Sequence, residues 1–240
     1  MNIALLLSGG RGIRMGMDIP KQYMEAAGRT VISFCIERLS LHEGIDALWI
    51  VADSEWQEQI TKELEKYDVR KKFRGFSVPG KNRQLSILHG LEDIRKCKEA
   101  FKYIMIHDAV RPLVSEELIS DCLTAVIAHD GVMPVLPMRD TVYESKDGKN
   151  ISALLNRNQI FAGQAPELFC LEPYYEANLR LLPEKILTVN GSTEPAVMAG
   201  MDIVMISGDE ENFKITTKAD YEKFCKIIEE KGKGRKGIRR

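Results

Sequence analysis

The stretch Asn2-Ile-Ala-Leu-Leu-Leu-Ser-Gly-Gly-Arg-Gly-Ile-Arg-Met-Gly16 decides the fold class. Its apolar run, residues 2–7, predicts a buried strand, and a glycine-rich segment follows the strand directly. Short apolar runs then alternate with helix-period segments along the rest of the chain. This order predicts an α/β fold of Rossmann-like βαβ units, with a mostly parallel sheet and helices on both faces.

The apolar periodicity assigns most of these elements. Strands are predicted at residues 2–7, 47–52, 73–78, 103–107, 132–136 and 202–206. Helices are predicted at residues 30–41, 54–67, 83–97, 116–128 and 219–231, with Ser54 as a plausible N-cap. Residues 1–230 are therefore expected to form a single domain, followed by a basic flexible tail at 231–240.

Residues 138–162 interrupt this alternation. Two short β-prone runs flank a polar stretch that contains Asp147-Gly148, which is a hairpin signal. We expect a β-arm here, inserted into the α/β sheet. Such an arm would either cover the cleft or reach a neighbouring subunit.

Composition and charge exclude several classes of protein. The 240 residues are 44% hydrophobic, and their apolar runs fall far short of the roughly 20 residues that a membrane-spanning helix needs. Five cysteines without close pairs and four histidines without ligand spacing indicate neither a disulfide framework nor a zinc site. We therefore expect a cytoplasmic protein with no membrane partner.

The formal charge of −1 conceals an asymmetry. Residues 231–240 carry six of the 34 basic residues, which leaves 28 basic and 35 acidic residues, a net charge of −7, in the body. The tail is either a nucleic-acid arm or a frayed, solubilising terminus. Because the acidic body argues against a broad nucleic-acid footprint, no nucleic-acid partner is expected. Charge counts alone also weigh against a strongly anionic ligand.

The glycine-rich segment, in contrast, favours an anionic ligand. Glycines after a strand expose backbone N–H groups and allow phosphates to approach closely, and this segment is accompanied by Arg11, Arg14 and Lys21. The dinucleotide pattern G-x-G-x-x-G fails because Gly16 comes one position late, and the P-loop pattern is absent. The loop is therefore either a triphosphate site with its own cations or an ordinary strand–helix turn.

A second motif, His107-Asp108-Ala109-Val110-Arg111-Pro112, ends the strand at 103–107. An Asp at this point lies in the crevice where parallel sheets bind ligands, and it could hold a Mg²⁺ that bridges phosphate oxygens. Alternatively, it caps a turn that Pro112 closes. Further candidates, each individually compatible with a surface turn, are Gly80 to Ser86, Arg139-Asp140-Thr141, Arg157 and Asn212 to Thr217.

Taken together, these motifs resemble the cytidylyltransferases that activate polyol phosphates. Two branches are relevant: the 2-C-methyl-D-erythritol 4-phosphate cytidylyltransferases of isoprenoid synthesis and the ribitol 5-phosphate cytidylyltransferases of cell-surface polymer synthesis. Six matching pieces occur in family order up to Tyr221: G-G-x-G-x-R-M-G…P-K-Q, R-Q-x-S-x-x-x-G-L, H-D-A-x-R-P, R-D-T, R-N…G-Q-x-P and N-x-K-I-T-T-x-x-D.

The resemblance implies a glycosyltransferase-A-like nucleotidyltransferase fold, CTP and a polyol phosphate as substrates, and Mg²⁺ as cofactor. It also implies a homodimer in which the arm of one subunit reaches the site of the other. The nucleotide-binding residues that it implies are Ser8, Gly9, Gly10, Arg11, Gly12, Gly80, Arg83 and Ser86. Arg14, Lys21 and Lys214 would stabilise the phosphates as catalytic residues. Asp108, which is also the metal candidate, and Arg111, Thr141 and Arg157 would bind the acceptor.

The chain also departs from the family pattern. Gln-Thr-Pro-Gln appears as Gln164-Ala165-Pro166-Glu167, which removes a threonine hydroxyl that helps to bind the acceptor, and Thr-Asp-(Asp/Glu/Ala) appears as Ser192-Thr193-Glu194-Pro195. Arg83-Gln84-Leu85-Ser86 and Arg139-Asp140-Thr141 resemble the methylerythritol branch. Gly9-Gly10, Asp108-Ala109-Val110 and Arg157-Asn158 with Gly163-Gln164 resemble the ribitol branch, so the acceptor stays open.

Three alternative functions also stay open. The first is a sugar-phosphate nucleotidyltransferase that uses another nucleoside triphosphate. The second is a dinucleotide-binding oxidoreductase. It is disfavoured by the misplaced third glycine and by the lack of a clear acidic ribose partner after the second strand, where Asp53 is the only nearby candidate. The third is a non-catalytic paralogue that senses a nucleotide, which the changes at Ala165 and Glu194 keep open.

Overall fold

The structure is a computed structural model that describes the backbone of residues 1–10 and 19–237, and the side chains of these residues up to Lys231. The strands in this part of the chain are β1 (Asn2–Leu7), β2 (Glu25–Ala26), β3 (Arg29–Thr30), β4 (Ala47–Val51), β5 (Phe73–Ser77), β6 (Tyr103–Asp108), β7 (Gly131–Pro137), β8 (Val142–Glu144), β9 (Ala153–Leu155), β10 (Phe161–Gly163), β11 (Glu167–Cys170) and β12 (Ile203–Ser207). The α-helices are α1 (Val31–Leu41), α2 (Ser54–Tyr67), α3 (Arg83–Ile94), α4 (Glu116–Ala125), α5 (Leu171–Leu179), α6 (Glu194–Met198) and α7 (Lys218–Gly237).

The main sheet is built around β1, which lies between β4 and β6 and runs parallel to both. In this register Leu7 is the partner of both Val51 and Asp108. Three neighbouring strands therefore end at one level, and the loops that follow them meet at the carboxyl edge of the sheet.

On the other side of β6 the sheet is mixed. β11 runs antiparallel to β6 and β7, whereas β12 runs parallel to β7 at the outer edge. β10 and β11 occupy successive parts of the same edge of β7: β10 pairs with residues 135–137 and β11 with residues 131–132. The sheet is thus mostly parallel, with one interrupted antiparallel strand, as the α/β prediction requires.

The core lies on both faces of the sheet. Along β1, Ile3 and Leu5 pack with α3 and α5, whereas Ala4 and Leu6 pack with α1, α2 and α4. All four side chains are fully buried, and burial of one leucine stabilises the fold by about 1.5–3 kcal/mol. The apolar run of β1 is continuous because helices cover the sheet on both sides.

The arm (residues 138–162) contains the predicted hairpin. β8 and β9 pair antiparallel, with Val142 opposite Leu155, and connect β7 to β10. In the turn between them, Asp147 Oδ1 accepts hydrogen bonds from the backbone N–H groups of Lys149 (2.9 Å) and Asn150 (2.8 Å).

Several predicted boundaries differ from the structure. Ser54 is the first residue of α2, and Asp53 takes the N-cap position, so the prediction of Ser54 as N-cap is wrong. α3 ends at Ile94 rather than Cys97. α7 continues to Gly237, beyond the predicted end at 231. In the described part of the chain, every helix is too short or too polar to cross a bilayer.

Candidate active site

A cavity of about 740 Å³ opens at the carboxyl edge of the sheet. The loops after β1, β4, β5 and β6 contribute to its wall, together with cationic side chains from more distant segments. Its lining includes Gly9, Gly10, Lys21, Gln22, Asp53, Pro79, Gly80, Lys81, Asn82, Arg83, Ser86, Asp108 and Lys214.

Side chains that come after the glycine-rich segment in the sequence hold the start of the loop after β1, residues 8–10, in place. Gln22 Nε2 donates hydrogen bonds to the carbonyl oxygens of Ser8 (2.7 Å) and Gly10 (2.8 Å). The hydroxyl groups of Ser8 and Tyr23 are 2.9 Å apart, and both side chains are buried. Gly9 lies against Pro79, where an added Cβ would come within 2.5 Å of the proline Cγ. The backbone of Ser8–Gly10 is thus held in place, and Gly9 and Gly10 line the cavity without side chains.

The turn between β5 and α3 forms the opposite wall. Asn82 caps α3, since its Oδ1 accepts from the backbone N–H of Leu85 at 2.9 Å. The Ser86 hydroxyl accepts from the backbone N–H of Gly80 (3.0 Å) and donates to the carbonyl of Asn82 (2.8 Å). A Cβ at Gly80 would lie 2.3 Å from the Cβ of Leu85, so this close turn needs a glycine.

Asp108, at the end of β6, is surrounded by three cations. Its Oδ1 accepts from Arg83 Nη2 at 3.1 Å, and its Oδ2 lies 3.0 Å from Lys214 Nζ and 3.5 Å from Arg111 Nε. We call these four residues the Asp108 cluster. Its members come from segments far apart in the sequence, and they meet because the carboxyl edge of the sheet brings those segments together.

The Asp108 cluster carries a net positive charge. Burial alone would raise the pKa of Asp108, but the charges of Arg83, Lys214 and Arg111 hold this pKa well below its usual range. The carboxylate is therefore ionised at neutral pH. The three cations outnumber the Asp108 carboxylate and the buried Glu167 carboxyl, whose charge acts on Arg83 and Arg111. The excess of positive charge favours an anionic ligand.

Lys21 is a further cation in the lining of the cavity. It begins the short 3-10 helix Lys21–Tyr23, is 8% exposed, and its Nζ lies 3.3 Å from the carbonyl oxygen of Thr216. Residues 208–217, which connect β12 to α7 and which we call the Lys214 loop, thus bring Lys21 and Lys214 to the same cavity.

The comparison with known proteins agrees with this geometry. The sequence model of the family described as 2-C-methyl-D-erythritol 4-phosphate cytidylyltransferase matches residues 2–230. The chain belongs to this family. Its relatives are named cytidylyltransferases, which are nucleotidyltransferases.

Individual relatives span both branches. The ribitol-5-phosphate cytidylyltransferase of Streptococcus agalactiae serotype III is 29% identical over 225 residues, covering 93% of this chain and 94% of that protein. The bifunctional enzyme IspD/IspF of Maricaulis maris is 31% identical over 225 residues, which cover 92% of this chain. The chain spans only 55% of the length of that enzyme.

A solved structure shares the fold. The 4-diphosphocytidyl-2C-methyl-D-erythritol synthase of Anaerococcus prevotii superposes with a TM-score of 0.81 at 24% identity, covering 95% of this chain and 96% of that one. This likeness, together with the mostly parallel sheet, confirms the predicted nucleotidyltransferase fold class.

The cytidylyltransferase motifs do not all lie at the cavity. Eight of the predicted site residues that are described line the cavity: Gly9, Gly10, Lys21, Gly80, Arg83, Ser86, Asp108 and Lys214. Arg111 contacts Asp108, and Ser8 is buried at the start of the loop after β1. Thr141 and Arg157 lie exposed on the arm, where Arg157 Nη1 donates to the carbonyl of Arg139 at 2.8 Å. The predictions for Arg11, Gly12 and Arg14 lie outside the described residues.

Asp108 is the metal candidate. Among the described residues, no group of three or more His, Cys, Asp or Glu side chains could hold a metal ion. Mg²⁺ typically binds through one or two carboxylates together with substrate phosphates. Both oxygens of the Asp108 carboxylate contact cationic side chains, so an ion at this position would take most of its ligands from the phosphates of a triphosphate.

The cytidylyltransferase motifs also contain polar residues to which sequence reasoning gave no role. His107 is fully buried, and burial lowers its pKa to about 4, so its imidazole is neutral and donates from Nε2 to the carbonyl of Arg111 at 3.0 Å. Gln22, Gln164 and Asn212 support the backbone of the site by similar bonds. Their presence in the P-K-Q, G-Q-x-P and N-x-K pieces was the available signal.

Proposed function

We propose that the protein transfers CMP from CTP to a polyol phosphate, either 2-C-methyl-D-erythritol 4-phosphate or ribitol 5-phosphate, and so forms a CDP-polyol and pyrophosphate. The observation that carries the proposal is the Asp108 cluster, which faces the same cavity as Lys21 and two glycine-containing loops. Membership in the cytidylyltransferase family and a relative from the ribitol branch support the choice of substrates.

The proposed reaction needs little acid–base chemistry. The acceptor is a phosphate monoester whose second pKa is about 6, so it is mostly dianionic at neutral pH. One of its oxygens attacks the α-phosphorus of CTP; the new P–O bond forms as the bond to the β-phosphate oxygen breaks, and pyrophosphate leaves. Catalysis then consists mainly of positioning and of stabilising negative charge, which suits a cavity that carries several cations.

The roles follow the two walls of the cavity. Two segments would hold the nucleotide. One is the backbone of Ser8–Gly10, with Arg11 and Gly12 next in the sequence, and the other is the turn with Gly80, Arg83 and Ser86. Lys21 and Lys214, with Arg14, would stabilise the triphosphate as its charge shifts to the leaving group. Asp108 and Arg111 would lie beside the acceptor.

Mg²⁺ is proposed as the metal cofactor, with Asp108 as its protein ligand. When bound with CTP, such an ion would neutralise charge on the phosphate oxygens. Asp108 also has a role of its own, because its carboxylate keeps the mutually repelling Arg83, Arg111 and Lys214 side chains together.

The arm is proposed to act in a homodimer. Thr141 and Arg157 are exposed, and so are the apolar side chains of Tyr143, Ile151 and Leu154. An exposed apolar hairpin is typical of an interaction surface. We infer that Thr141 and Arg157 bind the acceptor phosphate in the site of a second copy of this chain.

Two departures from the family pattern lie outside the lining of the cavity. Ala165 is buried, and its carbonyl accepts from Asn212 Nδ2 at 2.7 Å, but this backbone contact does not replace the missing threonine hydroxyl. Glu194 begins α6 and accepts from the backbone N–H of Asn190 at 2.9 Å.

The proposal is tested by pyrophosphate release from each of the four nucleoside triphosphates with both polyol phosphates. We expect turnover with CTP and one acceptor, and none without an acceptor. Turnover with UTP alone would contradict the choice of nucleotide. Nucleotide binding without turnover on any acceptor would support the sensor alternative, and NAD(H) in the purified protein would support the oxidoreductase.

A further inference from the structure

The Lys214 loop runs from β12 to α7 without regular secondary structure, and its Lys214 side chain lines the cavity. Lys214 is 38% exposed, so packing of its own side chain does little to fix it. The position of its ammonium group therefore depends on what holds the backbone of the loop. Two buried amide side chains, Gln164 and Asn212, provide those contacts.

Gln164 lies between β10 and β11 and is 4% exposed. Its backbone N–H donates to the carbonyl of Pro134 at 2.8 Å, which ties the residue to β7. Its side-chain Nε2 donates to the carbonyls of Asp209 (2.9 Å) and Asn212 (3.3 Å), while Oε1 accepts from the backbone N–H of Asp209 at 3.0 Å. One side chain thus satisfies three backbone groups of the Lys214 loop.

Asn212 completes this arrangement from the loop side. It is fully buried, and its Nδ2 donates to the carbonyl of Ala165 at 2.7 Å. Its own carbonyl accepts from Arg111 Nη1 at 2.8 Å as well as from Gln164. The Asn212 carbonyl is therefore the point where the loop, the β10–β11 connection and the Asp108 cluster meet.

The contacts continue to Lys214 itself. The backbone N–H of Ile215 donates to the carbonyl of Val110 at 2.9 Å, inside the turn that follows Asp108. With Asn212 and Ile215 both tied down, the backbone at Lys214 is fixed on either side. The 3.0 Å contact between Lys214 Nζ and Asp108 follows from this anchoring.

We propose that Gln164 and Asn212 are positioning residues that fix the Lys214 ammonium group beside Asp108. This inference rests on the proposed function, because it assigns the two amides to a step in which Lys214 stabilises the phosphates. Neither amide needs to touch a substrate. A displacement of about 1 Å can cost about 100-fold in rate, so the anchoring has a measurable kinetic effect.

The first test is Gln164→Glu, which keeps the size of the side chain and one acceptor but replaces the donor with a second acceptor. The carbonyl oxygens of Asp209 and Asn212 then face a carboxylate oxygen instead of an N–H donor. We expect kcat to fall at least ~10-fold, with a smaller change in the KM for CTP, because the cations act mainly on the transition state. Gln164→Met, which is neutral and of similar size, serves as the second variant if Gln164→Glu does not fold.

Gln57→Glu is the matched control. Gln57 Nε2 also donates to a backbone carbonyl, that of Ala52, at 3.2 Å, but the bond lies at the start of α2. We expect its kcat to stay within ~2-fold of the wild type. An equal loss in Gln57→Glu and Gln164→Glu would overturn the inference, because the loss would then not depend on the Lys214 loop.

The decisive measurement combines Gln164→Glu with Lys214→Ala. If Gln164 acts through Lys214, its substitution should cost less than ~3-fold in kcat in the Lys214→Ala background, since contacting residues that act together are not additive. A full ~10-fold loss in that background would show an independent effect and overturn the inference.

Backbone hydrogen exchange gives a readout that needs no activity. In the full-length chain, Gln164→Glu should speed exchange at Asp209, Asn212 and Ile215 and leave β1 unchanged. If the wild type has no cytidylyltransferase activity, the proposed function fails, yet exchange still tests whether the loop is anchored. If the wild type is active and Gln164→Glu matches it in both kcat and exchange, the inference fails alone.

Discussion

The carboxylate of Asp108 balances three cationic side chains, of which that of Arg111 is only 13% exposed. Without this negative charge, Arg83, Arg111 and Lys214 repel one another in a partly buried position. Removal of one partner from such a group is costly because the remaining charges lose their compensation. Asp108 therefore stabilises the folded chain as well as the proposed site.

Asp108→Asn should lower the free energy of unfolding by about 2 kcal/mol or more at pH 7. The pKa of Asp108 is lower in the folded chain than its value of about 3.9 in an unfolded one. Its contribution is thus fully present above that value and is lost as the pH falls below about 4. The difference in Tm between wild type and variant should narrow between pH 5 and pH 3.

Thermal unfolding across this pH range checks the prediction, with the exposed Asp121→Asn as control. A Tm difference that stays constant from pH 7 to pH 3 would mean that the Asp108 charge is not the cause.

Lys21→Ala should lower kcat/KM at least ~100-fold, because a preorganised electrostatic contact is worth about 3–4 kcal/mol of barrier. Lys62→Ala is the control, since Lys62 lies exposed on α2 and pairs with Glu58. Pyrophosphate release measures turnover, and circular dichroism checks that both variants fold. Turnover close to that of the wild type would remove Lys21 from the catalytic residues.

Among the elements, the start of α3 depends on the turn that precedes it. Gly80 approaches Leu85 so closely that no side chain fits, and the same turn directs Arg83 towards Asp108. A shift of this turn therefore changes both the cavity wall that is proposed to hold the nucleotide and the Asp108 cluster.

Gly80→Ala should raise the KM for CTP at least ~10-fold and destabilise the chain by about 1–3 kcal/mol through overpacking. Gly191→Ala is the matched control, because an added Cβ there meets nothing within 4 Å. Steady-state kinetics and chemical denaturation measure the two effects. A KM for CTP that is equal in both variants would contradict the role of the turn.

The central elements could be predicted because burial on both faces of the sheet produces continuous apolar runs, as in β1 and β4. The antiparallel return through β10 and β11 could not be predicted. These strands have three and four residues, too few for a periodic signal, and β10 is exposed. Their place beside β7 depends on tertiary pairing alone.

The candidate site was predictable to a similar degree. The glycines and cations after β1 and the carboxylate at the end of β6 pointed to Gly9, Lys21 and Asp108, because parallel strands end at one edge of the sheet. Gly80, individually compatible with a surface turn, gained a binding role only through the resemblance to the cytidylyltransferases. The pairing of Asp108 with Arg83 was not predictable, and neither was the support of the Lys214 loop by Gln164. Both depend on which groups meet in space: the G-Q-x-P piece marks Gln164 as a residue of interest, but it does not show which backbone carbonyls the side chain contacts.

At the scale of the whole molecule, the arm predicts subunits that complete each other's sites. Lys21→Ala and Arg157→Ala should each be nearly inactive alone. In a mixed dimer, the site that keeps Lys21 would receive an intact Arg157 from the partner's arm. Equal mixing should therefore restore about a quarter of wild-type activity, since half of the dimers are mixed and each has one intact site.

The mixture must be allowed to exchange subunits before activity is measured. The control is a mixture of Lys21→Ala with Lys214→Ala, both of which keep the wild-type arm. That pair lacks a complete set on either side and should stay inactive. Failure of the first mixture to recover activity would mean that Arg157 does not serve a second copy.

The Asp108 cluster also has a consequence for folding. Its cations stand 25, 3 and 106 positions from Asp108 along the chain, so the cluster closes only after contacts of very different sequence separation have formed. Long-range contacts form slowly because the loop between them must first be ordered. During refolding, the return of nucleotide binding should therefore follow the return of secondary structure, because the proposed site needs Asp108 and all three of its distant and near partners in place.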